Sequence, residues 1–296
     1  MKHALIDLGS NSVRMSVYEI EHTQFQLLFS EKETIGLAGY ITNDNQMSIE
    51  GMTQACNTLK EFSNILKNLN ITNTNIFATA SLRNITNTDA CVNYIKQKTN
   101  MDIDVISGKD EATFGYIGAL QDIHSQIQLI FDIGGGSTEL VHIVNNQIQT
   151  ADSCPIGSLI LFKKNVSRLF PKKEETNNIK GNINKAFDQI SIPQAVAIGG
   201  IGGTARALLK ITNAYFHKQG NEINRQHLKK ICHILLKRDT QARDLILKNC
   251  PDRVHTILPG TLIVQNLMKK TGCEKMIISK YGVREGYLCQ KVLPMT

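Results

Sequence analysis

The chain of 296 residues has no tryptophan and only 6 prolines. No stretch approaches the roughly 20 uninterrupted apolar residues that a membrane span requires, so no membrane partner is expected. The opening MKHALIDLGS places polar residues within its first ten positions and does not read as a signal peptide. Seven cysteines (56, 91, 154, 232, 250, 273, 289) stand singly with no CxxC pair. That pattern excludes a zinc ribbon and gives no disulfide frame; it suits reduced thiols in a cytoplasmic protein. Eight histidines form no HExxH or HD pair, so none is assigned to a metal. Basic and aromatic residues do not interleave in any RNP-like run, and a nucleic-acid partner is not expected.

What is present is a core-forming composition, 42% hydrophobic and 20% charged, enough for two α/β domains of similar size. Charge is unevenly placed. Residues 1–160 carry 9 Lys/Arg against 17 Asp/Glu, a net −8, and residues 161–296 carry 24 against 9, a net +15. A polyanionic partner held mainly by the second half is implied, although any single lysine pair is read as a solvated helix face. The pairs Lys163/Lys164, Lys172/Lys173 and Lys229/Lys230 are candidates for a track.

One phrase occurs twice. Ala4-Leu-Ile-Asp7-Leu-Gly9-Ser10-Asn11-Ser12 returns, 125 residues on, as Leu129-Ile-Phe-Asp132-Ile-Gly134-Gly135-Gly136-Ser137, and a second strand follows each copy. A spacing of one domain length indicates a duplicated unit, each copy a β-hairpin with a turn rich in Gly, Ser and Asn. Glycine admits an anion close to backbone N–H groups, and Ser and Asn add neutral donors. The aspartate at each strand end can hold a divalent cation or its waters beside a bound phosphate. A third cluster, Gly199-Gly-Ile-Gly202-Gly203-Thr204, also follows a strand. Thr204 is expected to N-cap a helix running from Ala205, and the loop suits either an anion or a packing turn. Helices are expected at Ser48 to Leu69, Asn87 to Thr99, 110–120, 158–169, 174–188, 204–217, 224–237 and 240–248. Each half then follows βββαβαβα, with a cleft between domains 1–120 and 121–283 and the segment 284–296 completing the first.

Seven segments in order, IDLGSNSVRM, ATASLRN, ISGKDEA, FDIGGGSTEL, AIGGIGGTARAL, DRVHTILPGTLI and ISKYGVREGYL, resemble the Ppx/GppA family of exopolyphosphatases and guanosine-pentaphosphate phosphatases. This is a branch of the actin–hexokinase superfamily, and the short two-domain members are the better comparison. The resemblance implies two ribonuclease-H-like domains and Mg²⁺-dependent removal of a terminal phosphoryl group by water. It implies Glu111 as general base, although a first-turn capping role competes for that residue, and places Arg83 beside the phosphates. Asp132 and Glu139 match metal-associated carboxylates, with Asp7 their symmetric counterpart. Ser10, Asn11, Ser12, Gly134, Gly135, Gly136, Ser137 and Thr138 are implied phosphate donors, with Gly202, Gly203 and Arg206 bordering the third loop. Where members carry Arg-Leu-Gly after the third strand, this chain has Thr34-Ile35-Gly36, which bears on affinity or chain length. The implied substrate is inorganic polyphosphate, with pppGpp the alternative; Phe114 and Tyr116 are the aromatics a nucleoside would use. A kinase of the same superfamily and a non-catalytic phosphate sensor stay open, and a homodimer is implied by the resemblance alone.

Overall fold

The computed structural model describes residues 1–124 and 126–293. Its contacts divide the chain into two units, Met1–Glu111 with the segment from Tyr287, and Ala112–Gly286.

The first unit opens with strands β1 (Lys2–Leu8), β2 (Val13–Glu21) and β3 (Gln24–Glu33). Helix α1 (Ile49–Asn68), strand β4 (Thr74–Ala78), the short α2 (Ala80–Arg83), α3 (Thr88–Thr99) and strand β5 (Asp104–Val105) follow. Helix α4 (Gly108–Ala119) begins in this unit. The sheet order is β3-β2-β1-β4-β5, with β1, β4 and β5 parallel. Helix α1 starts where its pattern requires: the Ser48 hydroxyl accepts the Gly51 N–H at 3.2 Å. Met52, Ala55, Leu59, Phe62 and Leu66 are all buried. They pack with Ala4, Ile6, Leu8, Val13, Met15 and Val17 into one core on one face of the sheet. On the same sheet, Phe77 stacks on Tyr287 with ring centroids 4.7 Å apart, and the Tyr287 hydroxyl is 3.2 Å from Asp104 Oδ2.

The second unit carries β6 (Leu129–Ile133), β7 (Thr138–Val144), β8 (Gln147–Cys154), α5 (Ser158–Asn165), α6 (Lys173–Phe187), β9 (Ala197–Ile201) and α7 (Gly202–Phe216). Strand β10 (Glu222–Asn224), α8 (Arg225–Lys237), α9 (Thr240–Asn249), α10 (Ile257–Thr271), β11 (Lys275–Ile278) and α11 (Val283–Tyr287) complete it. Its sheet reads β10-β11-β9-β6-β7-β8, with β6, β9 and β11 parallel. Without the added edge strand β10, this is the order of the first unit run from the other end. Both units are therefore ribonuclease-H-like α/β layers, as the duplicated phrase indicates. Helix α10 is not among the expected elements. Ile257–Val264 are buried throughout, so its polar stripe, Gln265, Asn266, Lys269 and Lys270, shows only in the second half, and Pro259 sits in its first turn where no N–H is needed.

The third glycine cluster differs from expectation. Helix α7 begins at Gly202, two residues early, and its N-cap is Ile201 with no side-chain cap. The Thr204 hydroxyl instead donates to Ile133 O at 2.7 Å, binding the helix to the end of β6. A buried carbonyl at a strand end outcompetes the local cap.

Candidate active site

In each unit the candidate residues collect at the carboxyl ends of the parallel strands, where open α/β sheets bind ligands. In the first unit these are Asp7 and the Gly9–Ser12 turn after β1, Arg83 after β4, and Glu111 after β5. Gly9 N donates to Ser12 O at 3.1 Å and closes the turn. The Ser10 and Asn11 carbonyls accept from Ala38 N and Gly36 N, both at 2.9 Å. Gly36 has φ +61°, left-handed, so glycine is favoured where the chain doubles back onto the turn. With its carbonyls tied back, the turn is left to offer N–H groups and the Ser10, Asn11 and Ser12 side chains. Thr34, two residues before Gly36, is exposed.

Glu111 is 7% exposed and accepts a hydrogen bond from Arg83 Nη1 at 2.6 Å; the same nitrogen also reaches Ile106 O at 3.2 Å. The first-turn capping role that competes for Glu111 is met by other residues. Asp110 N donates to Ser107 Oγ at 3.0 Å, and the Ser107 hydroxyl donates back to Asp110 Oδ2 at 2.7 Å. Ser107 caps the helix, with its hydroxyl held by Asp110, and Glu111 turns to the arginine. The short α2 is held near the end of β1 by the Ser81 hydroxyl, which donates to Leu8 O.

The second unit repeats the turn: Gly134 N donates to Ser137 O at 3.0 Å. Its carbonyls are likewise occupied. Gly134 O accepts from Ser158 N (2.9 Å) and Ser158 Oγ (3.1 Å), and Gly135 O accepts from Leu159 N and Ile160 N. A Cβ on Gly157 would strike the Gly135 carbonyl, so glycine is needed where α5 abuts the loop. Gly136 and Ser137 are buried within the same turn. Thr138 is not brought to the donor set. It is fully buried, and its hydroxyl donates to Ile156 O at 2.7 Å, which makes it a packing residue.

Asp132 stands directly across from Glu139 in the β6–β7 register. Glu139 is 2% exposed and accepts from the Ser153 hydroxyl at 2.8 Å. Gly202 lies against the Asp132 carboxylate, where any Cβ would collide with it, and its φ of +77° also favours glycine. Gly203 lies equally close to the Arg253 guanidinium. Burial pushes the Asp132 carboxyl above the usual range, while the positive charges of Arg206, Arg253 and Arg284 oppose that rise. Burial in turn lowers the Arg253 pKa. Arg206 Nη1 also donates to Lys280 O at 3.2 Å. Burial lowers the pKa of Lys163, and the His255 pKa falls through burial and then the charges of Lys163 and Arg253. Three guanidiniums thus act on the Asp132 carboxylate, and that of Arg253 is itself desolvated.

Arg253 and Arg284 lie within quoted segments, yet nothing in their spacing ties them to Asp132. Arg284 reaches it from the segment after β11, a strand that neighbours β9 and so β6 in the sheet, and Arg253 reaches it from the turn after α9, with its guanidinium against Gly203 at the start of α7. Among the described residues, no three His, Cys, Asp or Glu side chains form a group able to hold a metal ion. Also among the described residues, no helix is long and apolar enough to cross a membrane.

A family model for the Ppx/GppA phosphatase family matches residues 16–294. The chain belongs to that family. A Ppx/GppA protein from Aquifex aeolicus shares 22% identity, with 99% of this chain and 98% of that one covered and a TM-score of 0.80. An exopolyphosphatase from Cytophaga hutchinsonii also shares 22% identity, covering 97% and 96%, with a TM-score of 0.85. At these identities the two structures establish the shared Ppx/GppA fold. A bifunctional 3-dehydroquinate synthase/phosphatase from Fusobacterium nucleatum is 24% identical over 303 aligned positions. That alignment covers 94% of this chain but 44% of the relative, so the chain spans less than half of that protein's length.

Proposed function

We propose that this protein is an exopolyphosphatase that removes the terminal phosphoryl group of inorganic polyphosphate by hydrolysis. The observation that carries the reading is the Arg83–Glu111 pair, 2.6 Å apart at the strand ends that also bear the Gly9–Ser12 turn. The hydrolysis needs a carboxylate that takes a proton from water and a guanidinium that neutralises charge on the phosphoryl oxygens. The water oxygen bonds to the terminal phosphorus, Glu111 accepts its proton, and the bridging P–O bond breaks. The leaving oxygen stays on a chain one unit shorter, and orthophosphate is released. Arg83 orients Glu111 and lies where it can meet the phosphoryl oxygens.

The Asp132–Glu139 pair fits a hard cation such as Mg²⁺. The two carboxylates stand directly opposite one another on one face of the sheet, and Mg²⁺ typically takes one or two carboxylates plus waters and phosphate oxygens. When bound, it would supply charge neutralisation at the phosphoanhydride. The glycine loops Gly134–Gly136 and Gly202–Gly203 would hold phosphate oxygens through backbone N–H groups.

Polyphosphate is favoured over pppGpp by two observations. The +15 balance of residues 161–296 suits a long linear polyanion. Phe114 and Tyr116 are only 4% and 6% exposed, and the Tyr116 hydroxyl donates to Asn146 O, so neither offers a face to a base. Phosphate release from long-chain polyphosphate, pppGpp and ATP in parallel tests the assignment. Polyphosphate is expected to be fastest by at least tenfold, and Glu111→Gln to lower its kcat by about 10²–10⁴-fold. Equal turnover by Glu111→Gln and the wild type removes Glu111 as the base.

A further inference from the structure

The two hairpins are copies in sequence, but the rows of side chains across them are not. Residues opposite one another in register share one face of a sheet. In the first unit the row that begins at Asp7 continues through Arg14 on β2 to Lys32 on β3. In the second, the corresponding row is Asp132, then Glu139 on β7, then Ser153 on β8. The first row carries its own positive charges. The second places two carboxylates side by side and ends in a hydroxyl, whose only charge-free contribution is a hydrogen bond.

That hydroxyl is used. Ser153 Oγ donates to Glu139 Oε1 at 2.8 Å. Glu139 is nearly inaccessible, and Ser153 lies on the exposed edge strand. We infer that Ser153 is a positioning residue for the divalent cation: it holds the Glu139 carboxylate in the orientation that faces the cation shared with Asp132. The inference rests on the reading of Asp132 and Glu139 as cation ligands. A ligand's outer-shell partner fixes its rotamer and is worth about 10–100-fold in metal affinity.

The test measures Mn²⁺ binding by electron paramagnetic resonance on the intact chain, with the Mg²⁺ dependence of phosphate release beside it. Ser153→Ala should weaken Mn²⁺ binding about tenfold and raise the Mg²⁺ needed for half-maximal rate by the same factor, while KM for polyphosphate moves less than about twofold. Ser153→Thr, which keeps the hydroxyl, should restore both. Denaturation midpoints in EDTA for wild type and Ser153→Ala separate a cation effect from a folding defect. Glu139→Gln is the control for the underlying reading. If it loses Mn²⁺ and Ser153→Ala binds like wild type, the positioning role is overturned and the cation reading stands. If Glu139→Gln binds Mn²⁺ as wild type does, both are overturned.

Discussion

Asp132 and Glu139 face each other across β6 and β7, while the matching position opposite Asp7 is occupied by Arg14. A single change of sign at one place in a repeated hairpin thus sets an aspartate beside an arginine in the first unit and two carboxylates beside one another in the second.

Opposed like charges cost about 0.2–1 kcal/mol in a sheet. Asp132→Asn or Glu139→Gln should therefore raise the urea midpoint of the protein in EDTA, by an increment of that order. Adding Mg²⁺ should raise the midpoint of the wild type and leave those of both variants unchanged. A drop in midpoint in EDTA for both variants would show that the pair is already balanced by the protein.

Gly202 answers two constraints at once, a φ of +77° and contact with the Asp132 carboxylate. Gly202→Ala is expected to cost about 1–3 kcal/mol of stability. By displacing Asp132 it should also lower kcat/KM about 10²-fold. Denaturation and phosphate-release kinetics on one preparation check both effects.

Thr138 separates packing from phosphate contact. Thr138→Val removes the bond to Ile156 O and should destabilise by about 1–3 kcal/mol, because a buried acceptor is left unmade. The KM for polyphosphate should stay within about twofold, an outcome that a phosphate-binding hydroxyl would not allow.

Burial pushes the thiols of Cys91, Cys232 and Cys250 from an ordinary 9.0 up to about 11. The folded state holds these protons where the unfolded chain releases them, so the unfolded state binds fewer protons across this window. Stability should thus be fully present below pH 9 and decline as pH rises from 9.0 through about 11. Denaturation midpoints from pH 8 upward measure the fall, and a Cys232→Ala variant should show a shallower slope. Before unfolding, a thiol reagent at neutral pH should modify Cys289, which alone among the seven is half-buried and not fully buried.

The parts of the fold carried by short-range pattern were legible in the chain. The two hairpins follow from Asp-x-Gly-x-x-Ser between apolar strands, because turn closure by Gly9 and Gly134 is a contact of three residues. Helix α1 follows from its cap and its one apolar face. Helix α10 was not legible, since its first half is buried throughout and its polar side shows only from Gln265 onward, and Gly260 within it is needed because Thr204 packs against it from α7.

Residue types and order by themselves determined the duplicated α/β units, the glycine turns and the pairing of an aspartate with each turn. Only the tertiary structure decided which charges meet. Glu111 is joined to Arg83 and leaves the cap to Ser107, which Asp110 holds. Thr204 abandons its cap for Ile133, and Arg253 and Arg284 reach Asp132 from more than a hundred residues away in the chain. The reason is physical: turn geometry is settled among neighbours in sequence, whereas the field at a carboxylate sums over everything the sheet order brings beside it.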